Sequence, residues 1–177
     1  MLAALLAYWQ GKQNGRALPQ RRDIDPLEMA PGLLPHLMLA DLLDRGTRVR
    51  FRLVGTVVVK RLGFDPTGRY LDAEGGPFFA HMAALNRLVY GERAPVYAAS
   101  VFTWSGERRL EIEQVLLPLA QDGPDPAIAL AALVCRSTEP FPPTIRALAM
   151  AGHREIERRV LKPLPAVSWT DAGRNVA

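Results

Sequence analysis

The stretch RVRFRLVG at residues 48–55 is the feature that most restricts the fold of this chain. It alternates arginines with the apolar residues Val49, Phe51 and Leu53. Because successive side chains of a strand point to opposite faces, the alternation predicts a strand with one cationic face and one apolar face. Such a half-buried strand is typical of an antiparallel sheet that covers a core. We therefore expect Phe51 and Leu53 to face that core, and Gly55 to end the strand.

Other strand patterns surround this one. They occupy residues 36–44, which lead into the turn DRGT, and residues 95–104, 108–120 and 127–135. In the segment 108–120, Leu110 and Ile112 alternate with Glu111 and Glu113, which predicts a strand with one buried face and one solvent-exposed face. The segment 127–135 is apolar at nearly every position, which favours a central place in the sheet.

Helical patterns lie between and around the strands. We predict helices over residues 2–13, over a short segment between Gly55 and Gly63, and over 77–91, where the apolar residues recur at steps of three and four. A further helix is predicted from about Thr144 to Leu161, followed by a loose tail. The order of elements predicts an α+β domain with helices over one face of the sheet, together with N- and C-terminal helices.

Several short motifs, in this order and spacing, resemble those of PAS domains. They are Trp9 in the first helix, LPQRRDIDPLEM at 18–29, LLPHLMLADL at 33–42, FRLVGT at 51–56 and GFDPTGRYLD at 63–72. More narrowly, the chain resembles a bacterial family of small stand-alone PAS-like proteins, most of them from alphaproteobacteria. The resemblance covers roughly residues 5–137. We divide the chain accordingly into an N-terminal helical cap (1–32), a PAS-like domain (33–138) and a C-terminal helix and tail (139–177).

The resemblance implies a five-stranded antiparallel sheet in the order 2-1-5-4-3, with an enclosed pocket between the sheet and the middle helices. PAS domains use that pocket for haem, flavin, small metabolites or nothing, and use the other face of the sheet for dimers or partner domains. The resemblance does not identify a ligand, so any cofactor is left unknown.

We predict that the pocket is lined by inward-facing side chains of the strands and of the helix at 77–91. These residues are Phe51, Leu53, Met82, Leu85, Tyr97, Val101, Leu110, Ile112 and Gln114. Gln114 is a polar group among apolar neighbours and needs a partner if it is buried. The alternative is that the same side chains pack against one another. A cavity of about 300 Å³ or more would favour a ligand, and a filled interior would not.

His81 is the one candidate for a haem ligand, because it lies on the helix that supplies the axial ligand in some haem-binding PAS proteins. We favour a packed histidine with its own hydrogen bond, since haem also needs a large apolar pocket. Cys135 is the only cysteine, which excludes an internal disulfide and a multi-cysteine metal site. It ends the last strand of the domain and lies in no flavin-binding motif, so we assign it to packing.

The remaining features exclude several classes of function. No nucleotide-binding or hydrolase motif is present, so we expect no enzyme activity. The formal net charge is +4, but the arginines are mixed with acids and no nucleic-acid-binding motif accompanies them. No apolar run approaches the ~18 residues of a membrane span. We therefore expect a cytoplasmic protein without nucleic-acid partners.

The sequence leaves two functions open. The first is a sensory module that binds a small apolar or amphipathic ligand and signals through a homodimer or a signalling partner. The second is an interaction adaptor whose interior is filled by its own side chains. The terminal helices are expected to contribute to a dimer, because their apolar stripes exceed what the domain needs to cover.

Overall fold

A computed structural model describes residues 1–104, 108–136 and 152–162 of the chain. Over these residues the α helices are α1 (Leu2–Gly11), α2 (Thr56–Leu62) and α3 (Pro77–Glu92). The strands are β1 (Leu37–Leu43), β2 (Arg48–Val54), β3 (Val96–Trp104), β4 (Arg108–Ala120), β5 (Pro126–Arg136) and β6 (Gly152–Val160). Short 3-10 turns connect α1 to β1 and β1 to β2.

The strands form a single antiparallel sheet in the order β2-β1-β5-β4-β3-β6. The order of the first five strands confirms the predicted 2-1-5-4-3 arrangement, and the α+β class is confirmed with it. The sixth strand is an addition to the predicted sheet, because β6 pairs along β3 from Gly152 opposite Thr103 to Val160 opposite Val96.

The predicted C-terminal helix is wrong over residues 152–160, which form β6. Its sequence GHREIERRV contains residues that favour helices, but such propensities amount to less than about 1 kcal/mol per residue. The edge of β3 offers unpaired backbone groups to a neighbouring strand, and Val160 packs against the core there. The rest of the predicted helix (144–151) and the tail (163–177) lie outside the described residues.

We call the face of the sheet that α2 and α3 cover the inner face. As predicted, α3 buries one apolar stripe, formed by Phe78, Met82, Leu85 and Val89. This stripe meets side chains from every strand of the sheet in one continuous cluster. The largest of its fully buried members are Phe79, Phe102, Leu85, Leu110, Ile112 and Leu116.

The outer face is covered by α1 and the turns that follow it. Leu5 and Trp9 of α1 are buried there, and the Trp9 indole nitrogen donates a 2.8 Å hydrogen bond to the Pro118 carbonyl oxygen. Together with residues of β1, β4 and β5 they form a second apolar cluster. Much of the apolar side of α1 is therefore used within the chain, and its role in a dimer stays a prediction.

A register shift in the β1–β2 pair changes the direction of one predicted side chain. Ala40 lies opposite Phe51, but Leu39 lies opposite Leu53, so β2 has one extra residue at this point. Such a bulge moves the following side chains to the other face. Phe51 is buried on the inner face, whereas Leu53 is 47% exposed. The expectation that both residues face the core is wrong for Leu53.

Gly55 connects β2 to α2 at a point of close backbone contact. Its amide donates a 2.7 Å hydrogen bond to the Leu37 carbonyl oxygen. A Cβ atom at this position would lie 2.3 Å from the backbone oxygen of Pro35, closer than any side chain allows. Only glycine fits at this junction of strand and helix.

Candidate functional site

The predicted pocket residues separate onto the two faces of the sheet. Those on the inner face, all buried, are Phe51, Met82, Leu85, Leu110, Ile112 and Gln114. The others, Leu53, Tyr97 and Val101, lie on the outer face. The structure therefore does not bring the full predicted set together.

The pairing of β3 with β4 explains this division. Directly opposed residues of an antiparallel pair share a face. Tyr97 lies opposite Val115, which belongs to the outer cluster, whereas Phe102 lies opposite Leu110 of the inner cluster. The prediction that Tyr97 and Val101 face inward is therefore wrong, because the register of β3 with β4 places them on the outer face.

The inner-face residues pack against one another. The Phe78 ring contacts the rings of Phe79 and Phe102 edge to face, with centroids 5.1 and 5.5 Å apart. Leu85 and Leu110 have no exposed surface. Close packing of this kind favours a core role for these side chains, and their role in ligand binding stays a prediction.

A buried polar cluster lies within the inner face, where α3 crosses β3, β4 and β6. His81 of α3 is at its centre, and its Nε2 atom is 3.0 Å from Ser100 Oγ and 3.3 Å from Gln114 Nε2. On the other side of the ring, His81 Nδ1 is 3.6 Å from Glu155 Oε2 of β6. The ring of His153, also from β6, has its centroid 4.5 Å from that of His81.

These contacts select one form of the His81 ring. The amide NH₂ of Gln114 faces Nε2 and the Ser100 hydroxyl is able to donate to it, so these contacts favour the neutral ring that carries its proton on Nδ1, towards Glu155. Burial, helped by the neighbouring His153 and opposed by Glu155, lowers the pKa of His81 to about 4. The ring is therefore neutral at pH 7.

Two buried side-chain oxygens, one in the cluster and one on α3, have no partner within the described residues. Gln114 Oε1 and Asn86 Oδ1 are buried and accept no hydrogen bond within the described residues. The amide nitrogen of Asn86 is satisfied, because it donates to the Met82 carbonyl oxygen. An unpaired buried acceptor costs about 1–3 kcal/mol, so this region is a weak point of an otherwise closed core.

The arrangement of Ser100, His81 and Glu155 has the outline of a nucleophile, a base and an orienting acid. Ser100 is only 1% exposed, however, and lies behind the packed side chains of the inner face. A nucleophile must reach its substrate, so the geometry does not support hydrolysis. It also disfavours His81 as a haem ligand, because Nε2 is engaged by two core side chains.

Two further chemical possibilities concern metals and thiols. Within the described ranges, no group of three histidine, cysteine or acidic side chains is placed to hold a metal ion. Burial raises the pKa of Cys135 to about 12, so its thiol is not a reactive thiolate at pH 7.

A groove of about 590 Å³ opens on the outer face, between α1 and the part of the sheet formed by β3, β4, β5 and β6. We call it the α1 groove. Its lining combines apolar side chains with charged ones. The residues are Met1, Leu2, Ala3, Leu6, Tyr97, Glu113, Val115, Val134, Arg136, Glu157, Arg159 and Leu161.

The charged residues of the α1 groove are paired with one another. Arg136 Nη2 is 3.1 Å from Glu113 Oε1, and Arg159 pairs with Glu157. The Tyr97 hydroxyl donates a 3.5 Å hydrogen bond to Glu113 Oε2. Of the predicted pocket residues, Tyr97 lines this groove. The other residues of the groove were not predicted as site residues. The sequence did indicate those on α1, because this helix carries more apolar residues than the two that it buries.

A family model described as a PAS domain matches residues 1–134. The match spans most of the chain, and the chain belongs to the PAS domain family, as the sequence motifs predicted. Membership supports a sensory or signalling module in general terms. No curated protein and no solved structure matches the chain. Within the described residues, no helix has the length and apolar character needed to cross a bilayer.

Proposed function

We propose that this PAS domain is a signalling module whose input is a small amphipathic molecule bound in the α1 groove. The groove itself carries the proposal, because its volume of about 590 Å³ lies within the range of about 300–1,000 Å³ found for ligand sites. Its apolar lining would hold the hydrophobic part of such a molecule. The charged pairs at its rim would meet the polar part.

The ion pairs of the groove are suited to exchange partners. Glu113, Arg136 and Arg159 are each partly exposed, and exposed pairs contribute only about 0–1 kcal/mol to stability. A ligand with a polar group could therefore replace one partner at little cost. The Tyr97 hydroxyl, held by Glu113, offers a further polar contact.

The groove also connects elements through which binding could be transmitted. Leu2 and Leu6 belong to α1, whereas Glu157 and Arg159 belong to β6. A ligand that contacts both α1 and β6 would stabilise those conformations in which the distance between the two elements suits the bound ligand. The output would then be a changed contact with a signalling partner or with a second copy of the chain.

A ligand-free interaction adaptor is the second candidate. The packing of Leu85, Leu110 and Ile112 on the inner face favours it, because the predicted interior pocket is occupied by the chain's own side chains. In this case the α1 groove would receive side chains of a partner protein instead of a small molecule.

Native mass spectrometry of the purified full chain, followed by titration with the amphipathic dye 8-anilino-1-naphthalenesulfonate, tests the proposal. Val134 lines the groove and is partly exposed, so Val134→Glu places a charge there without opening the core. We expect this variant to bind the dye at least tenfold more weakly than the unmodified chain.

Leu27→Glu is the matched control, because Leu27 is 91% exposed and lies outside the groove. It should bind the dye as the unmodified chain does. Equal dye binding by the Val134→Glu variant would refute the groove as the ligand site. A purified chain without added mass that also fails to bind the dye would favour the adaptor.

A further inference from the structure

A second hollow, of about 310 Å³, lies at the turn between β4 and β5 and has no residue in common with the α1 groove. Three of its lining residues are arginines, which come from two separate parts of the chain. The full lining is Gln20, Arg21, Arg22, Arg52, Gln121 and Asp122. We call it the arginine hollow.

The charge of Arg52 is only partly balanced. Its Nη1 atom is 3.3 Å from Asp41 Oδ1, but the other oxygen of the same carboxylate accepts two hydrogen bonds from Arg50, at 2.8 and 3.1 Å. One carboxylate therefore serves two guanidinium groups. A positive charge remains at the wall of the hollow.

The other two arginines have no carboxylate partner among the described residues. Arg21 donates from Nη1 to the Ile24 carbonyl oxygen, a neutral acceptor, at 3.2 Å. Arg22 is exposed and makes no hydrogen bond or ion pair within the described ranges. The adjacent Asp23 is already engaged, because it pairs with Arg16 and accepts from the Gln20 amide.

Neutral donors complete the hollow. Gln121 accepts from Arg52 Nη1 through its amide oxygen at 3.5 Å, which leaves its NH₂ group to donate elsewhere. Asp122 is the acidic residue of the lining and stands on the turn in a left-handed conformation, with φ of 56°. The lining itself holds three arginines and one carboxylate, that of Asp122, while the neighbouring Arg50 and Asp41 balance each other, so two positive charges are uncompensated.

We propose that the arginine hollow binds the phosphate group of a small phosphorylated molecule. A phosphate monoester carries close to two negative charges at pH 7, which matches the uncompensated charge. Guanidinium groups donate to phosphate oxygens in pairs, and the amide of Gln121 adds a further donor. The hollow is larger than a phosphate ion, so part of the esterified group also fits. This site is independent of the ligand proposed for the α1 groove.

Isothermal titration of the full chain with inorganic pyrophosphate, at constant ionic strength, tests the assignment. Arg22→Gln should weaken binding about tenfold, and it should fold normally because Arg22 is exposed and makes no hydrogen bond or ion pair within the described residues. Asp122→Asn removes the repulsive carboxylate, so it should strengthen binding severalfold. Because the two variants change the affinity in opposite directions, their comparison distinguishes a specific phosphate site from a general loss of binding through misfolding.

Arg87→Gln is the matched control, because Arg87 is an exposed arginine of α3 on the other side of the sheet. It changes the net charge by the same amount and should leave binding within about twofold. Equal weakening by Arg22→Gln and Arg87→Gln would show attraction to net charge alone and overturn the proposal. Absence of pyrophosphate binding would overturn it as well.

The phosphate could belong to a soluble metabolite or to a lipid headgroup. Sedimentation with phosphatidylcholine vesicles that contain phosphatidic acid separates these sources. Vesicle binding that pyrophosphate and Arg22→Gln both suppress would assign the site to a lipid headgroup. Pyrophosphate binding that depends on Arg22, without vesicle binding, would assign it to a soluble molecule. Vesicle binding that neither suppresses would overturn the proposal.

Discussion

On its inner face the sheet is covered from one side to the other by α2 and α3, and a neutral histidine with its polar partners is enclosed in the packing. On its outer face α1 covers β4 and β5, and it leaves the α1 groove open beside β6. Both faces carry large buried side chains, but the α1 groove lies on the outer face. The comparison teaches that a PAS fold can leave a groove open on the face that its own N-terminal segment covers.

The largest expected effect tests whether the two faces form one folding unit. Phe102→Ala on the inner face and Trp9→Ala on the outer face should each lower the free energy of unfolding by about 3–5 kcal/mol, because both remove a large buried ring. Urea unfolding at pH 7 measures both. A loss below about 1 kcal/mol for Trp9→Ala, or two separate transitions, would show that α1 is a detachable cover.

Acid should act on the inner face through His81. An ordinary histidine has a pKa near 6.5, and the pKa of His81 in the folded chain is about 4. Between these values the unfolded chain holds the proton and the folded chain does not, so the free energy of unfolding decreases as the pH falls. The loss from this group approaches about 3 kcal/mol and is complete below pH 4.

The charged groups that face His81 are Glu155, His153 and Arg158, all from β6. Urea unfolding at pH 7, 6, 5 and 4 measures the loss, and His81→Gln should remove the part that this histidine causes. His36→Gln, a change to a histidine whose Nδ1 contacts the Leu133 carbonyl oxygen, serves as the control and should keep it. An identical pH dependence in the His81→Gln chain would contradict this assignment.

Gln114→Leu should change the free energy of unfolding by less than about 1 kcal/mol. The variant loses the contact with His81 Nε2, but it also removes the buried oxygen that has no donor. Thermal and urea unfolding measure the change. A loss above about 2 kcal/mol would mean that the oxygen has a partner, such as an ordered water molecule.

The smallest expected effect concerns the rim of the α1 groove. Glu113→Gln breaks the partly exposed pair with Arg136, so the free energy of unfolding should change by no more than about 0.5 kcal/mol. Its influence should appear in dye binding, because it frees a guanidinium beside the groove. A large loss of stability would indicate that the rim is structural and not available to a ligand.

Patterns with one dominant period were sufficient to predict much of the fold. The alternation in β2 and β4 and the apolar stripe of α3 each have a period that only one kind of element satisfies. Gly55 and Gly63 marked the limits of α2 correctly. The order of the first five strands then followed from the resemblance of the motifs to PAS domains.

The wrong predictions concern segments whose conformation is set by tertiary contacts and not by local sequence. The helical propensity of residues 152–160 gave way to pairing with β3, and the bulge opposite Leu39 turned Leu53 to the outer face. The inner polar cluster was predicted in part, since His81 and Gln114 were named as candidate residues from the sequence. Glu155 could not be joined to them, because its contact depends on a strand that the sequence did not predict.

The position of β6 has a practical consequence for work with shortened chains. The family match ends at residue 134, so a chain cut by that boundary would lack β6 and would leave β3 at the edge of the sheet. An uncovered edge that carries Val96, Tyr97, Val101 and Phe102 is a template for pairing with strands of other molecules. Beyond its contribution to the polar cluster, we therefore expect β6 to protect the domain from aggregation.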